Sequence, residues 1–542
     1  MDGIHDTPEA RARALGGTVR RFAPMRGRVK TPDTLFEARG GKRALVIDPA
    51  DYPAAALAAR DLLAEDERLF ERGGRPVILA EDERGEMLAH DLSPEAVAHR
   101  VHAVATPLLA LRLRGERVLK PTTLPHRVAA LYLALIGEWN LRPLAAIGAT
   151  PGLRDDGAIN ARDGYDPEAR IYRHRVPRIA VPQRPTRGDA EAALLKLRRL
   201  LRTFPFGDAR LDSDGFVALD LPPGHDETAA LAATLTAVCR ADLPLAPAFC
   251  VRAPSISGAG AGKGLLARTI VAVATGRTPA VATAGHDADE FDKRLVGLLL
   301  AGHPAVLLDN INGADLKSDT LASIVTEAPC TLRPLGASRL VTLDARPFIA
   351  VTGNGLTLSE DLVRRFLVCD LEPPTESPET RRFDCDPVAE ALRRRGELLG
   401  AALTIWRWGR QQGDTLPQGL PLGSFGQWAR WVRDPLLALG CRDPAERIAL
   451  LKADDPRRRA LIEAFDAWWH NHGDLPMRAL DLAEPVKIAL DPQGRGRQYL
   501  IRAVARLAGT RMGGYALEAQ REGPPSKPVM LYRLRRTDGS AI

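Results

Sequence analysis

The sequence contains no long apolar run. No window reaches about 18 uncharged apolar residues, so no membrane-spanning helix is expected. Its six cysteines (Cys239, Cys250, Cys330, Cys369, Cys385 and Cys441) lie far apart and form no CxxC pair. That spacing excludes a zinc cluster and a disulfide framework, and the cysteines read as buried apolar residues in a reducing cytosol. The opening stretch MDGIHDTPEARARAL has neither an apolar core nor a small-residue cleavage site. No secretory leader is therefore expected, and the expected location is the cytoplasm. Neither sign of charge dominates: 75 Lys and Arg stand against 68 Asp and Glu, a net +7. Such an excess permits a nucleic-acid partner without requiring one. No internal repeat is evident. A composition of 45% hydrophobic and 26% charged residues is that of a folded globular chain, not a disordered one.

What is present is length and alternation. At roughly 100–200 residues per domain, 542 residues suggest three or four domains. Residues 1–40 are rich in Arg and Gly, lack apolar periodicity and are expected to be mobile. An α+β region is expected over 41–224. RALVIDP and RPVILAED are its strand candidates, SPEAVAHRVHAVA and LPHRVAALYLALIGE its helix patterns, and 143–186 a stretch of turns. DLPPGHDET, residues 220–228, marks an expected boundary. From 225 to 372 apolar helix and β-rich runs alternate, the pattern of a parallel α/β core. EPPTESPET, 372–380, is an expected linker. A helical segment rich in Trp and Arg follows over 381–454, and 455–542 ends in a β-rich tail.

The strongest chemical signal is PSISGAGAGKGLLARTIVAVATG, residues 254–276. Ser257, Gly258, Ala259, Gly260, Ala261, Gly262, Lys263, Gly264 and Leu265 occupy the positions of a phosphate-binding loop opening a helix. Glycines let backbone N–H groups converge on phosphate oxygens. The lysine reaches the β and γ phosphates, and the helix N-terminus adds partial positive charge. The pattern GxxxxGK[ST] asks for Gly where Ser257 stands and for a hydroxyl where Gly264 stands. PAVLLDNI, 304–311, is an apolar strand ending in Asp309, 46 residues after Lys263. That is the Walker B arrangement, with Asp309 placed for Mg²⁺. FIAVTGN ends in Asn354, placed to orient an attacking water. DLVRR then offers Arg364 and Arg365 as arginine fingers across a subunit interface. Each segment also has a plain structural interpretation: a turn, a buried strand, a solvated basic corner.

Together, GAGAGKGLLA, LLDN, TGN and DLVRR resemble the ATPase module of phage- and plasmid-associated replication proteins, the superfamily 3, AAA+-like helicases. The likeness extends more loosely to GYDPEARIY (164–172), to the FPF of 204–206 and to GSFGQWARWVRDPLLALG (423–440). It implies an AAA+-like parallel sheet with flanking helices, ATP and Mg²⁺ as ligands, and a homo-oligomeric ring, usually a hexamer, moving on single-stranded or forked DNA. It also leaves room for a separate primase or polymerase partner. Lys263 is by that likeness the phosphate lysine, Asp309 the metal aspartate, Asn354 a sensor, and Arg364 or Arg365 the finger. Asn310 stands where a second acid usually serves as base, and an amide cannot take a proton. Glu290, on an amphipathic helix pattern, is the candidate replacement. A nucleotide-binding scaffold with little hydrolysis, and a defence or packaging ATPase, remain as alternatives.

The charge excess has a location. Residues 455–542 hold 15 Lys and Arg against 10 Asp and Glu, whereas 245–372 hold 12 against 13. Arg502 and Arg506 share a helix face. The segment after it, with Arg511, Lys527, Arg533 and Arg535, has a hairpin pattern with a Gly/Pro-rich tip. A helix followed by a basic hairpin suggests a winged-helix-like DNA-binding domain, against the alternative of a solvated face. Trp428 and Trp431 read as helix packing, and the Asp212/Asp214 pair as turn residues.

Overall fold

A computed structural model describes residues 42–113, 116–255, 258–283, 288–312, 315–334, 340–375, 378, 385–453, 456–523 and 529–537. The stretch 1–40, most of the expected linker's second half, and the candidate residues Ser257 and Lys527 lie outside these. The chain forms two compact units, Met1–Ala445 and Glu446–Ile542. No described helix is long and apolar enough to cross a membrane.

At the start of the first unit, Arg43–Ile47 pairs in parallel with Ala105–Leu113, which pairs antiparallel with Glu116–Pro121. Helices Tyr52–Leu63 and Pro94–Val104 begin where a cap and a proline coincide. Asp51 accepts from the Ala54 amide and Ser93 from the Ala96 amide. Their apolar faces join Tyr132 and Trp139 in one buried cluster. The stretch expected as turns, 143–186, holds short strands: Ala146–Gly148, Gly164–Asp166 and Ile171–Arg173 form a three-stranded sheet. Three residues are too few to show a period of two in sequence.

The centre of the unit is a five-stranded parallel sheet. Its strands are β1 (Ala248–Ala253), β2 (Ala280–Thr283), β3 (Ala305–Asp309), β4 (Phe348–Asn354) and β5 (Phe366–Asp370), in the spatial order β2-β3-β4-β1-β5. β1, β3, β4 and β5 are apolar almost throughout because helices cover both faces. Helix α1 (Lys263–Thr275) leaves β1 directly, and α2 (Ala288–Ala301) precedes β3.

The expected boundary at 220–228 does not part the chain. Helix His225–Cys239 begins inside it, and both acids of its first turn are buried. Glu227 pairs with Arg198 at 2.7 Å, and Asp226 accepts the Asp370 amide at 2.8 Å. Residues read as a polar joint thus seal the N-terminal region to β5. Arg72 does the same from another side. Its guanidinium donates to the carbonyls of Ala145 at 2.5 Å and of Leu299 at 2.9 Å, the latter in the open last turn of α2. Burial pulls this arginine down to about 10. The helical segment after the linker belongs to the same unit as far as Ala445. Trp428 donates to Thr236 Oγ1 and Trp431 to Asp155 Oδ1, each at 2.8 Å, so both tryptophans serve packing. Five cysteines are buried, but Cys385 is exposed, contrary to the expectation for the set.

The second unit contains α3 (Pro456–His472), α4 (Glu484–Leu490), α5 (Arg497–Leu507) and an antiparallel sheet of β6 (Arg511–Met512), β7 (Tyr515–Glu522) and β8 (Val529–Arg536). Phe465, Trp468, Val486, Val504, Leu517 and Leu534 form its core.

Candidate nucleotide site

The glycine-rich segment lies at the carboxyl end of β1, the edge of a parallel sheet where ligands bind in open α/β folds. Gly260 (φ 77°) and Gly262 (φ 93°) take left-handed backbone that other residues rarely adopt, and Gly262 is the residue from which α1 starts. Gly258 is required by space: a β-carbon there would stand 2.2 Å from the Pro254 carbonyl oxygen. Ala259 and Gly260 are exposed, Ala261 is buried and Leu265 half-buried on α1. Beneath the loop, Phe204 is fully buried and would meet a β-carbon on Gly262 at 3.6 Å. The FPF segment is therefore the floor of the loop.

Lys263 is buried, and its Nζ donates to the Gly258 carbonyl at 2.7 Å and to Asn354 Oδ1. Burial lowers its pKa, and the Asp309 carboxylate opposes that shift. Register explains the meeting with Asn354: Ala253 and Asn354 are partners at the ends of β1 and β4. The turn after Asn354 is held at the loop, because the Gly355 amide donates to the Ala253 carbonyl at 2.9 Å. Asp309 ends β3 in the same row and accepts from Thr352 Oγ1 and from Arg268 Nη2, the latter at 3.0 Å. Asn310 is exposed with φ 63°, a left-handed residue outside glycine. The structure therefore brings Lys263, Asp309 and Asn354 to one edge of the sheet with the glycine loop.

The other candidates lie elsewhere. Glu290 stands in the first turn of α2 and pairs with Arg294 at 3.2 Å. Arg364 and Arg365 precede β5, and the Arg365 carbonyl accepts the amide of Ala248, the first residue of β1. Both arginines thus sit at the amino edge of the sheet, opposite the glycine loop. Arg364 is exposed, Arg365 largely covered, and both pair with Asp361.

In the second unit Arg502 and Arg506 are exposed on α5, and Arg511 is exposed at β6. Two hairpin arginines are engaged: Arg533 pairs with Asp474 at 2.7 Å and Arg535 with Glu518 at 3.0 Å.

No protein-family model matches the chain. No curated protein matches it. Among solved structures, it is similar to a JCV helicase at 16% identity, covering 53% of this chain and 73% of that one, with a TM-score of 0.21. It is also similar to the C-terminal region of NrS-1, at 12% identity and a TM-score of 0.30 over 67% of this chain and 80% of that one. SCCmec type IV Cch, described as an active helicase, is matched at 9% identity and a TM-score of 0.30, over 88% of this chain and 98% of that one.

Sequence reasoning missed three residues at this edge. Thr352 binds the Asp309 carboxylate, Asn312 Oδ1 accepts the Asn354 amide at 2.8 Å, and Arg268 faces Asp309. The first two follow from strand adjacency, which one sequence does not display. Arg268 had a signal: it lies four residues after Gly264 on the same helix face.

ATP's phosphates fit this site by its shape and charge. Three glycines leave the backbone of the loop bare, and a lysine and a helix N-terminus point positive charge at it. Mg²⁺ fits poorly. Position 264 offers no hydroxyl, and the Asp309 carboxylate is already met by a threonine hydroxyl and a guanidinium. Among the described residues no group of three or more His, Cys, Asp or Glu converges as a metal site.

Proposed function

We propose that this chain is an ATP-dependent DNA helicase or translocase of mobile-element replication. The observation that carries the proposal is the convergence of the glycine loop, Lys263, Asp309 and Asn354 at the carboxyl edge of one parallel sheet. In this reading the loop amides and Lys263 hold the β and γ phosphates. Lys263 exchanges its contacts with Gly258 and Asn354 for phosphate oxygens, which frees the Asn354 amide to orient a water. Arg364 and Arg365 stand at the far edge of the sheet, so they reach a nucleotide only in a neighbouring subunit. That placement supports action across the interfaces of a ring, for which a homo-hexamer is the proposed form. The second unit, read as winged-helix-like, meets DNA phosphates with Arg502, Arg506 and Arg511, and with Arg533 and Arg535 once their carboxylate partners yield.

A second reading is favoured by one feature. With Asn310 in place of a base and Glu290 engaged by Arg294, the chain holds nucleotide to assemble on DNA and turns it over slowly. Strand separation distinguishes the two. A labelled forked duplex is expected to unwind with ATP and to stay paired with Lys263→Ala. Tight DNA binding with no unwinding at any ATP concentration would favour the scaffold.

A further inference from the structure

The Asp309 carboxylate already has a cation. Arg268 Nη2 lies 3.0 Å from Asp309 Oδ2, with the aspartate side chain 16% exposed and the arginine 33%. The position between them is defined by Gly264. A β-carbon built there would stand 3.5 Å from both Asp309 carboxylate oxygens, so residue 264 faces the carboxylate as the hydroxyl residue of GxxxxGK[ST] must. The same β-carbon would stand 2.5 Å from Arg268 Nη1. No side chain at 264 is compatible with the guanidinium where it is. The missing hydroxyl and the ion pair are therefore one arrangement: Gly264 makes room, and an arginine one turn along the helix fills it.

Resting on the nucleotide-site reading above, we propose that Arg268 takes the place of the divalent ion at Asp309, so that this chain binds a nucleoside triphosphate without Mg²⁺. A guanidinium suits this position. It stays charged, it spans a carboxylate and a phosphate with separate N–H groups, and it sheds water more readily than an ammonium. Arg268 leaves α1 five residues after Lys263, about 140° round the helix, and the two cations meet adjacent strand ends, Lys263 at Asn354 and Arg268 at Asp309. Asp309, ion-paired with Arg268 and bonded to Thr352, positions the guanidinium and does not bind metal.

The test is an equilibrium titration of a fluorescent ATP analogue into the full chain, in Mg²⁺ and in EDTA. For the unaltered chain the two affinities are expected to agree within about fivefold. Arg268→Ala is expected to weaken binding in EDTA by about tenfold or more, with Arg268→Lys recovering part of the loss. Gly264→Ser combined with Arg268→Ala is expected to bind in Mg²⁺ and lose about tenfold or more in EDTA. Thermal melts establish that each variant is folded. If the unaltered chain loses more than about fivefold in EDTA, or if Arg268→Ala matches it in EDTA, the proposal is overturned while the nucleotide site stands. If the unaltered chain binds no analogue in either buffer, or Lys263→Ala binds as well as it does, the nucleotide site itself fails.

Discussion

Gly258 shows how little freedom the loop has. The Pro254 carbonyl and the Asn354 side chain occupy the space a side chain would need, at 2.2 and 2.8 Å from a β-carbon. Gly258→Ala must push a backbone oxygen aside, an overpacking cost of about 1–3 kcal/mol. It is expected to lower analogue affinity about tenfold or more with little change in the melting temperature of the second unit. Unchanged affinity would mean that the loop does not cradle phosphate. At this scale the sequence was partly legible. Glycine spacing and Lys263 named the loop, and the acid ending an apolar strand named Asp309. Thr352 and Asn312 were not legible, because their roles come from strand order: β4 lies between β1 and β3 although, among the described residues, five strands and three helices separate it from β1 in the chain. Gly264 was legible as a departure, and only the structure shows that Arg268 explains it.

The elements followed their sequence signals where length allowed. Capped helices such as Pro94–Val104 and the apolar strands β3 and β4 lie where their patterns place them. The three-residue strands of 146–173 carry too few residues for a pattern. The polar stretch at 220–228 misled because its acids neutralise a buried arginine and cap a strand amide. In the second unit one residue holds three helices and a hairpin together. Trp468 is fully buried among Phe465, Val486, Val504 and Leu534. Trp468→Ala is expected to cost about 3–5 kcal/mol, a large share of a small domain's stability. Filter-binding and analogue titration on this variant are expected to show lost DNA affinity with nucleotide affinity kept. Retained DNA affinity after the unit's unfolding, followed by circular dichroism, would remove the second unit from DNA contact.

For the whole molecule, the small net charge says less than its distribution. The parallel-sheet region is nearly neutral and residues 455–542 carry most of the surplus. The fold class, a mixed α/β chain with a central parallel sheet, was legible from alternation. The two compact units are not legible from length, which suggests three or four domains; buried ion pairs such as Arg198–Glu227 join stretches that look separable in sequence. In the proposed function, nucleotide at the β1 loop is hydrolysed in response to DNA. The rate of ATP hydrolysis by the full chain, measured with and without forked DNA, tests it most directly. The rate is expected to rise about 2–10 times with DNA and to fall about a hundredfold or more with Lys263→Ala. Hydrolysis that is absent with and without DNA, or that is untouched by Lys263→Ala, would contradict it.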